Sequence, residues 1–463
     1  MAEARVEVPT GHDGFDARTS LATRTLATFA ASTTYADIPA AVLRESKRCI
    51  LDYLAVAIGA ADEPAPCIAL DQVRDLGGRP QASVLVHGDR TSIPHAALVN
   101  GVMSHVFDFD DTHIPTVLHA TGPIASAGLA VAEARHATGR DLVAAHAVAF
   151  DVAARIALAL SHAHYEAGWH MTGTAGTLGA AAAVGHLLGL TAERTVQALG
   201  IAATQAGGHR EQFGTMTKSF HSGKAASNGS LAALLAERGY GAAPDSLEGR
   251  RGMFHVMSSH TELERLTDGL GEEWEIFRNG LKPYACGVVS HAGIDAIRQL
   301  RAQVREPEIA EIELRVHPLV LELTAKPTPM TGLEGKFSIA FAGAIAFLDG
   351  TAGERQFTDA NVRRPDVISL GNRIVPVADP SLSNVQAAAI ARLHDGRELT
   401  CEVAVAPGTP GNPLTDEGLQ AKVVDLVDPV LGRGVGERLC AMVHRLDELD
   451  SLTPLLELAR RGH

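Results

Sequence analysis

GVMSHVFDFDDTHIPTVLHATGP, residues 101–123, sets Asp108, Asp110, Asp111 and His113 within six residues and brackets them with His105 and His119. The runs on either side are dominated by Ala, Leu, Val and Gly. Charges in such surroundings must be paired, solvated or put to chemical use, because burying them alone is costly. Downstream, Ile124–Ala137, Leu142–Ser161, Gly176–Leu188, Ala192–Ala203 and Ser227–Glu237 read as Ala-rich helices bounded by Gly, Thr or Ser. Strand signals are nearly absent between residues 120 and 270. Upstream, Asp37 and Pro39 open a helix whose apolar stripe runs through Val42, Leu43, Cys49, Ile50, Tyr53, Leu54 and Ile58, and Gly59 ends it. Ser83–Val86 is a short β-like run, and Ser92-Ile93-Pro94 starts another helix.

The stretch itself admits a second reading. Asp108-Phe109-Asp110-Asp111-Thr112 fits D-x-D-x-T, the pattern of phosphatases that attack phosphorus with the first Asp and hold Mg²⁺ beside it. That chemistry needs a β-branched strand directly before the first Asp. Residues 101–107 read instead as a helix end, and no parallel-sheet pattern surrounds them. A mainly α fold follows: a large all-helical domain, residues 1–272. Near Trp274 the pattern changes. Ile312, Leu314 and Val316 alternate, and RELTCEVAVAP (397–407) is a period-two strand, so residues 273–411 read as a smaller α+β domain. From Thr415 helical patterns return, and residues 412–463 are expected to pack back on the first domain.

At 463 residues the chain is too long for one ordinary core. Aromatics are only 4%, which favours close helix packing through small side chains. The net charge of −14, without a basic tract, argues against a nucleic-acid partner and means that any anion site needs local cations. Five scattered cysteines without a C-x-x-C pair point to reduced thiols in a cytoplasmic setting, with no cluster or structural zinc. Residues 1–18 read as a polar, flexible lead-in without a signal-peptide core. The longest small-apolar run, around Leu178–Leu190, is broken by Gly185 and His186 and falls short of a membrane span.

Other polar groups stand out. His170 lies between Gly168 and Gly173 before a small-residue helix, where a helix N-terminus favours anions. Lys218 reads as a loop residue between apolar flanks, placed to act as a base of lowered pKa or as a fixed cation for a carboxylate. Lys282, Tyr284 and His291 fall at the domain junction, where clefts form. Lys282, Tyr284, His221 and Lys326 make up the candidate substrate-binding set; Lys224 and His95 read as surface or structural groups. No P-loop, dinucleotide fingerprint, nucleophile elbow or H-E-x-x-H motif is present in the sequence. Cations, a base and an acid without a nucleotide or metal motif suit proton transfer at carbon in a small polycarboxylate.

ESKRCILDYLAVAIGA (45–60), NGVMSHVFDFDDTHIPTVLHATGPIASAGLAVAE (100–133), AGWHMTGTAGTLGAAAA (167–183), FGTMTKSFHSGKAASNG (213–229), LKPYACGVVSHAGIDA (281–296) and KPTPMTGLEGKFSIAFAGAIAFLDG (326–350) occur in that order. Together they resemble the MmgE/PrpD family, which includes 2-methylcitrate dehydratase, cis-aconitate decarboxylase and iminodisuccinate epimerase. The resemblance implies a helical domain that takes in the C-terminal helices, an α+β lid, a cleft between them, a homodimer, and no metal or organic cofactor. By motif position it puts the catalytic residues at Asp108, Thr112, His119, His170 and Lys218. Two departures from the decarboxylases fall at Gly287, where they carry His, and Leu323, where they carry Tyr. The expected activity is therefore a hydro-lyase of the 2-methylcitrate dehydratase type acting on a di- or tricarboxylate. A two-base epimerase, a cis-aconitate-type decarboxylase and a non-catalytic carboxylate binder are the alternatives.

Overall fold

The computed structural model describes residues 21–462, so the expected lead-in of residues 1–18 lies outside the described residues. Helices Ala22–Ser32 (α1), Ala40–Gly59 (α2) and Pro64–Leu76 (α3) come first, then the two-residue strands Ala82–Ser83 (β1) and Arg90–Thr91 (β2). Ile93–Met103 (α4) and the short strand Thr112–His113 (β3) flank the acidic turn. Thr121–Arg135 (α5), Gly139–Glu166 (α6), Met171–Leu187 (α7), Ala192–Ala203 (α8), Met216–Glu237 (α9) and Met253–Met257 (α10) follow.

Small residues let these helices touch. A Cβ on Gly223 of α9 would lie 2.3 Å from the Leu98 carbonyl oxygen of α4, and one on Gly229 would lie 2.5 Å from Ala180 Cβ of α7. Side chains at these points would force the helices apart, and such overpacking costs about 1–3 kcal/mol or more. The scarcity of aromatics is thus the counterpart of backbone-close packing. α6 is long and apolar enough to cross a membrane, unlike the run expected to be the longest, but its apolar window is 94% buried inside the protein. Its residues belong to the core.

Two helices begin well before the patterned residues. α7 starts at Met171 and not near Gly176, and α9 starts at Met216 and not near Ser227. The first turn of α9 lines a cavity, and that of α7 is buried but built of Met171, Thr172, Gly173 and Thr174, so neither carries the apolar period that reveals a helix. Lys218 is accordingly in the first turn of α9, capped by Thr215, and not in a loop. The run 83–86 is β only at Ser83, and Val86 has a left-handed φ of 66°.

After Asn279–Gly280 (β4) come His291–Leu300 (α11), Ile309–Val316 (β5), Pro318–Thr324 (α12), Gly332–Gly335 (α13), Ile339–Asp349 (α14) and Pro365–Gly371 (α15). Ile374–Ala378 (β6), Ala387–Leu393 (β7) and Glu398–Val403 (β8) complete a four-stranded sheet of order β6-β5-β7-β8. β6 runs parallel to β5, and the other two pairings are antiparallel. Ile312, Leu314 and Val316 are buried as the alternation predicts. The sequence pattern does not reveal β6, because Pro376 interrupts it; Pro is tolerated there because β6 is an edge strand. Asp416–Leu431 (α16), Val435–His444 (α17) and Thr453–Leu458 (α18) end the chain, with α16 and α17 packed on α2.

Candidate active site

Between α4 and β3 the chain makes a tight turn through Phe107, Asp108 and Phe109. Asp108 takes a left-handed φ of 52°, a conformation that Asp tolerates better than most residues. Three buried lysines from three separate later segments each donate to one of three consecutive carbonyls. Lys336 Nζ reaches Phe107 O at 2.5 Å, Lys282 Nζ reaches Asp108 O at 2.8 Å, and Lys422 Nζ of α16 reaches Phe109 O at 2.7 Å. Lys422 also pairs with buried Asp52 of α2 at 2.6 Å, and burial pushes both partners toward their neutral forms. β3 pairs with β4, Thr112 opposite Gly280, which brings Lys282 to the turn.

The Asp108 carboxylate is held by two ammonium groups at one oxygen, Lys282 at 2.9 Å and Lys218 at 3.0 Å. Burial by itself would raise its pKa, but the two lysines outweigh that and hold it well below the usual carboxylate range. Burial would also lower the pKa of Lys282; Asp108 outweighs that and raises it.

Asp110, 2% exposed, uses one oxygen for two imidazoles, His105 Nδ1 at 2.8 Å and His119 Nδ1 at 3.3 Å. Its pKa is held well below the ordinary value, because the two histidines outweigh its burial. With Nδ1–H donated to the carboxylate, each ring presents Nε2 as its lone-pair nitrogen. Thr112 Oγ1 lies 3.4 Å from His119 Nδ1. Asp111 takes hydrogen bonds from Thr121 and, at 2.7 Å, from Asn279, and burial pushes its pKa up to about 7.

His170 is the N-cap of α7, and its Nδ1 lies 2.9 Å from His221 Nδ1. Burial, then the nearby His105 and Lys218, lower its pKa well below the ordinary value, so it is a neutral imidazole at pH 7. Burial lowers His221 to about 4. The His105 ring stacks on that of His170 with centroids 5.6 Å apart.

These groups line a cavity of about 120 Å³. Asp108, Thr112, His119, His170, Lys218, Lys282 and Lys336 form its polar wall; Val117, Tyr165, Phe213, Gly287, Val288, Val289, Leu323, Thr324 and Phe337 form the rest. Val117 is a β-branched residue at φ 52°, a strained conformation of the kind that functional sites retain. A second cavity of about 510 Å³ shares Asp108, Lys218, Lys336 and Phe337 and extends over Thr215, Met216, Glu354 and Arg355.

Of the residues singled out from sequence, Asp108, Thr112, His119, His170, Lys218 and Lys282 therefore share one cavity. His221 stands behind His170. The Tyr284 hydroxyl is bound to Asp295 at 2.7 Å and Arg298 at 2.9 Å, away from that lining. Lys326 pairs with Glu334 at 2.8 Å, also outside it. Gly287 and Leu323 do face the cavity. Lys336, Asp110 and Lys422 carry more of the arrangement than the sequence reading allowed. Lys422 had a visible signal, because it interrupts the apolar stripe Leu419, Val423, Leu426 of α16.

Among the described residues, His105, His119 and His170 bring ring nitrogens within 4.8 Å of one another, and Asp108 and Asp110 join His105 and His119 in a second such group. These are metal-ligand types. As built, both carboxylates are already neutralised, Asp108 by two ammonium groups and Asp110 by two imidazole N–H donors.

Helical fold, two-part chain and polar cavity agree with the sequence relationships. The MmgE/PrpD N-terminal domain matches residues 24–266, and the MmgE/PrpD C-terminal domain matches residues 284–448. The chain belongs to the MmgE/PrpD family. It is 30% identical to a cis-aconitate decarboxylase of Aspergillus terreus over 91% of its own length and 92% of that protein. It is 28% identical to the cis-aconitate decarboxylase of Mus musculus, covering 90% of this chain and 89% of the relative. The human cis-aconitate decarboxylase is likewise 28% identical, with 90% of each chain covered.

Proposed function

We propose that the protein is a lyase that removes or adds a proton at a carbon next to a carboxylate in a small di- or tricarboxylate. The observation that carries this reading is Asp108 held between Lys218 and Lys282, with His119 and His170 lining the same small cavity. The two ammonium groups attract a substrate carboxylate and stabilise the negative charge that grows on it as the neighbouring C–H bond breaks. Neutral His170 accepts that proton. Asp108 fixes the two lysines, and Thr112 and His119 hold a second part of the substrate. Membership of a family with lyase relatives supports the same class.

The bond cleaved next is the finer question. In the hydro-lyase reading, of the 2-methylcitrate dehydratase type, the electron pair left on carbon expels a neighbouring hydroxyl, which takes a proton from Lys218 and leaves as water. The decarboxylase reading is favoured by the relatives' names. There no C–H bond breaks first: the C–C bond to one carboxylate breaks, CO₂ leaves, and the electron pair left on carbon takes a proton from the Lys218 ammonium. Gly287 and Leu323 weigh against the decarboxylase reading, because they bring no hydrogen-bonding side chain to the cavity. The working assembly in this reading is a homodimer, as the family resemblance implies, in the cytoplasmic setting that the scattered cysteines suggest.

Incubation of the purified chain with a panel of hydroxylated and unsaturated polycarboxylates in D₂O tests the reading. Dehydration gives ultraviolet absorbance of an unsaturated acid without CO₂, and decarboxylation gives CO₂. Exchange of an α-proton with neither product makes the protein an epimerase. Saturable binding with no turnover, equal in the parent and in Lys218→Ala, makes it a non-catalytic binder.

A further inference from the structure

The cavity has two kinds of wall. Its charged groups are linked to one another around the turn at Phe107 and Asp108, while the loop of residues 287–289 and the end of α12 at Leu323 and Thr324 form a roof without charge. The side chains of the roof offer a ligand almost no polar atom. Val288, Val289 and Leu323 are apolar, and the Thr324 hydroxyl is turned to its own helix, donating to Val320 O at 2.6 Å. The Lys336 ammonium, at the margin, is spent on Phe107 O and Glu354, both at 2.5 Å.

The roof also has room. At Gly287 the backbone is ordinary, φ −57° and ψ 133°, and an added Cβ would meet only Val289 Cγ2, at 3.9 Å. No left-handed turn or close backbone approach demands glycine there. What its missing side chain does is leave space beneath the loop.

Charge counting points the same way. Lys218 and Lys282 face the single carboxylate of Asp108, and Lys336 is matched by Glu354. Such a wall keeps one net positive charge, enough for one carboxylate, and leaves Thr112 and His119 as hydrogen-bond partners for a second. A third carboxylate placed against Val288, Val289 and Leu323 loses its water and meets no charged side chain. An alkyl group in the same place gains about fourfold in affinity for each buried methylene.

We infer that the cavity takes a substituted dicarboxylate whose carboxylates meet the lysine wall and whose alkyl substituent fills the space under Gly287, Val289 and Leu323. Gly287 is the residue that sets how large that substituent is. The inference rests on the lyase reading only for the carboxylate end, and its test needs no turnover.

Two ligands of similar shape separate the possibilities: 2-isobutylsuccinate, and propane-1,2,3-tricarboxylate, in which a carboxymethyl group replaces the isobutyl. Dissociation constants are measured by calorimetry with the full chain, with succinate as the unsubstituted reference. The expected result is isobutylsuccinate bound at least about tenfold more tightly than the tricarboxylate. Gly287→Leu fills the space and lowers isobutylsuccinate affinity about tenfold while succinate binding is unchanged. Leu323→Arg adds a cation to the roof and reverses the order of the two ligands. Succinate binding by each variant reports that it has folded. Tighter binding of the tricarboxylate to the parent, a preference that neither substitution moves, or no binding by any of the three acids overturns the inference. Tight, Gly287-dependent binding without turnover of any alkylated acid leaves the subsite standing and removes the lyase reading instead.

Discussion

The turn at Phe107–Phe109 and the roof at residues 287–289 face the same cavity and are built of opposite materials. In the turn every backbone carbonyl is taken by a buried lysine, and every carboxylate after it has named partners. In the roof the side chains are small and apolar, and a glycine leaves space. The turn is over-determined: its left-handed Asp108 is held by contacts from β4, from the segment before α14 and from α16. The roof is lightly specified and can change without disturbing that network. On the proposed function, acid–base chemistry sits where the packing is least forgiving, and substrate choice sits where it is most forgiving.

The contrast can be broken from the wall side first. Lys218→Ala removes an ammonium group that faces the cavity and leaves the turn's carbonyls bound. Turnover of the first acid found to react should fall by about 10²–10⁴-fold, with the melting temperature little changed. Equal turnover in the two proteins would remove Lys218 from the chemistry.

Lys422→Met attacks the support instead. It strands Asp52 in the core and frees the Phe109 carbonyl, and breaking a buried pair in this way costs about 3–5 kcal/mol of stability. Denaturant unfolding measures it. A loss below 1 kcal/mol would mean that the pair is already neutral, the direction in which burial pushes both partners.

Asp110→Asn tests the two imidazoles at once. It keeps the shape but offers an amide where a carboxylate fixed both Nδ1–H groups, so kcat should fall by roughly 10²-fold with KM nearly constant. The pH profile of kcat should move with it. A change in KM alone would give Asp110 a purely structural role.

The last test is the pH dependence of stability. Asp111 has its pKa raised to about 7 in the folded protein. Between about pH 4 and 7 the folded chain therefore holds a proton that the unfolded chain has released, and this contribution to stability falls as pH rises through that window. Asp111→Asn removes the titration, so its melting temperature relative to the parent should become more favourable from pH 4 to pH 7. A constant difference across the window would show that Asp111 is ionised throughout.

Several of these groups were legible in the chain before folding. The family resemblance marked Asp108, Thr112, His119, His170 and Lys218 as a set, the domain junction pointed to Lys282, and the cavity gathers all six. Tyr284 and Lys326 stand in equally suggestive motifs, yet their polar atoms are bound to neighbours outside it. Sequence proximity to a site residue does not say where a side chain points. Lys336 sits in a quoted motif but was not singled out, because nothing local distinguishes a lysine that binds a distant carbonyl from one in water.

The sequence by itself determined the mainly helical class, through Ala- and Gly-rich periodicity, and the switch to a period-two strand pattern beyond Trp274. It also determined that any anion site had to be local, since a net charge of −14 leaves no general attraction for acids. Only the tertiary structure decided the early starts of α7 and α9, because the first turn of α9 lines a cavity, that of α7 is buried but rich in Thr and Gly, and neither carries an apolar period. It alone decided that lysines at 282, 336 and 422 meet one three-residue turn, since carbonyl partners leave no mark on side-chain sequence. The opposition between a charged wall and an empty apolar roof belongs to the same class: it arises where segments nearly two hundred residues apart meet.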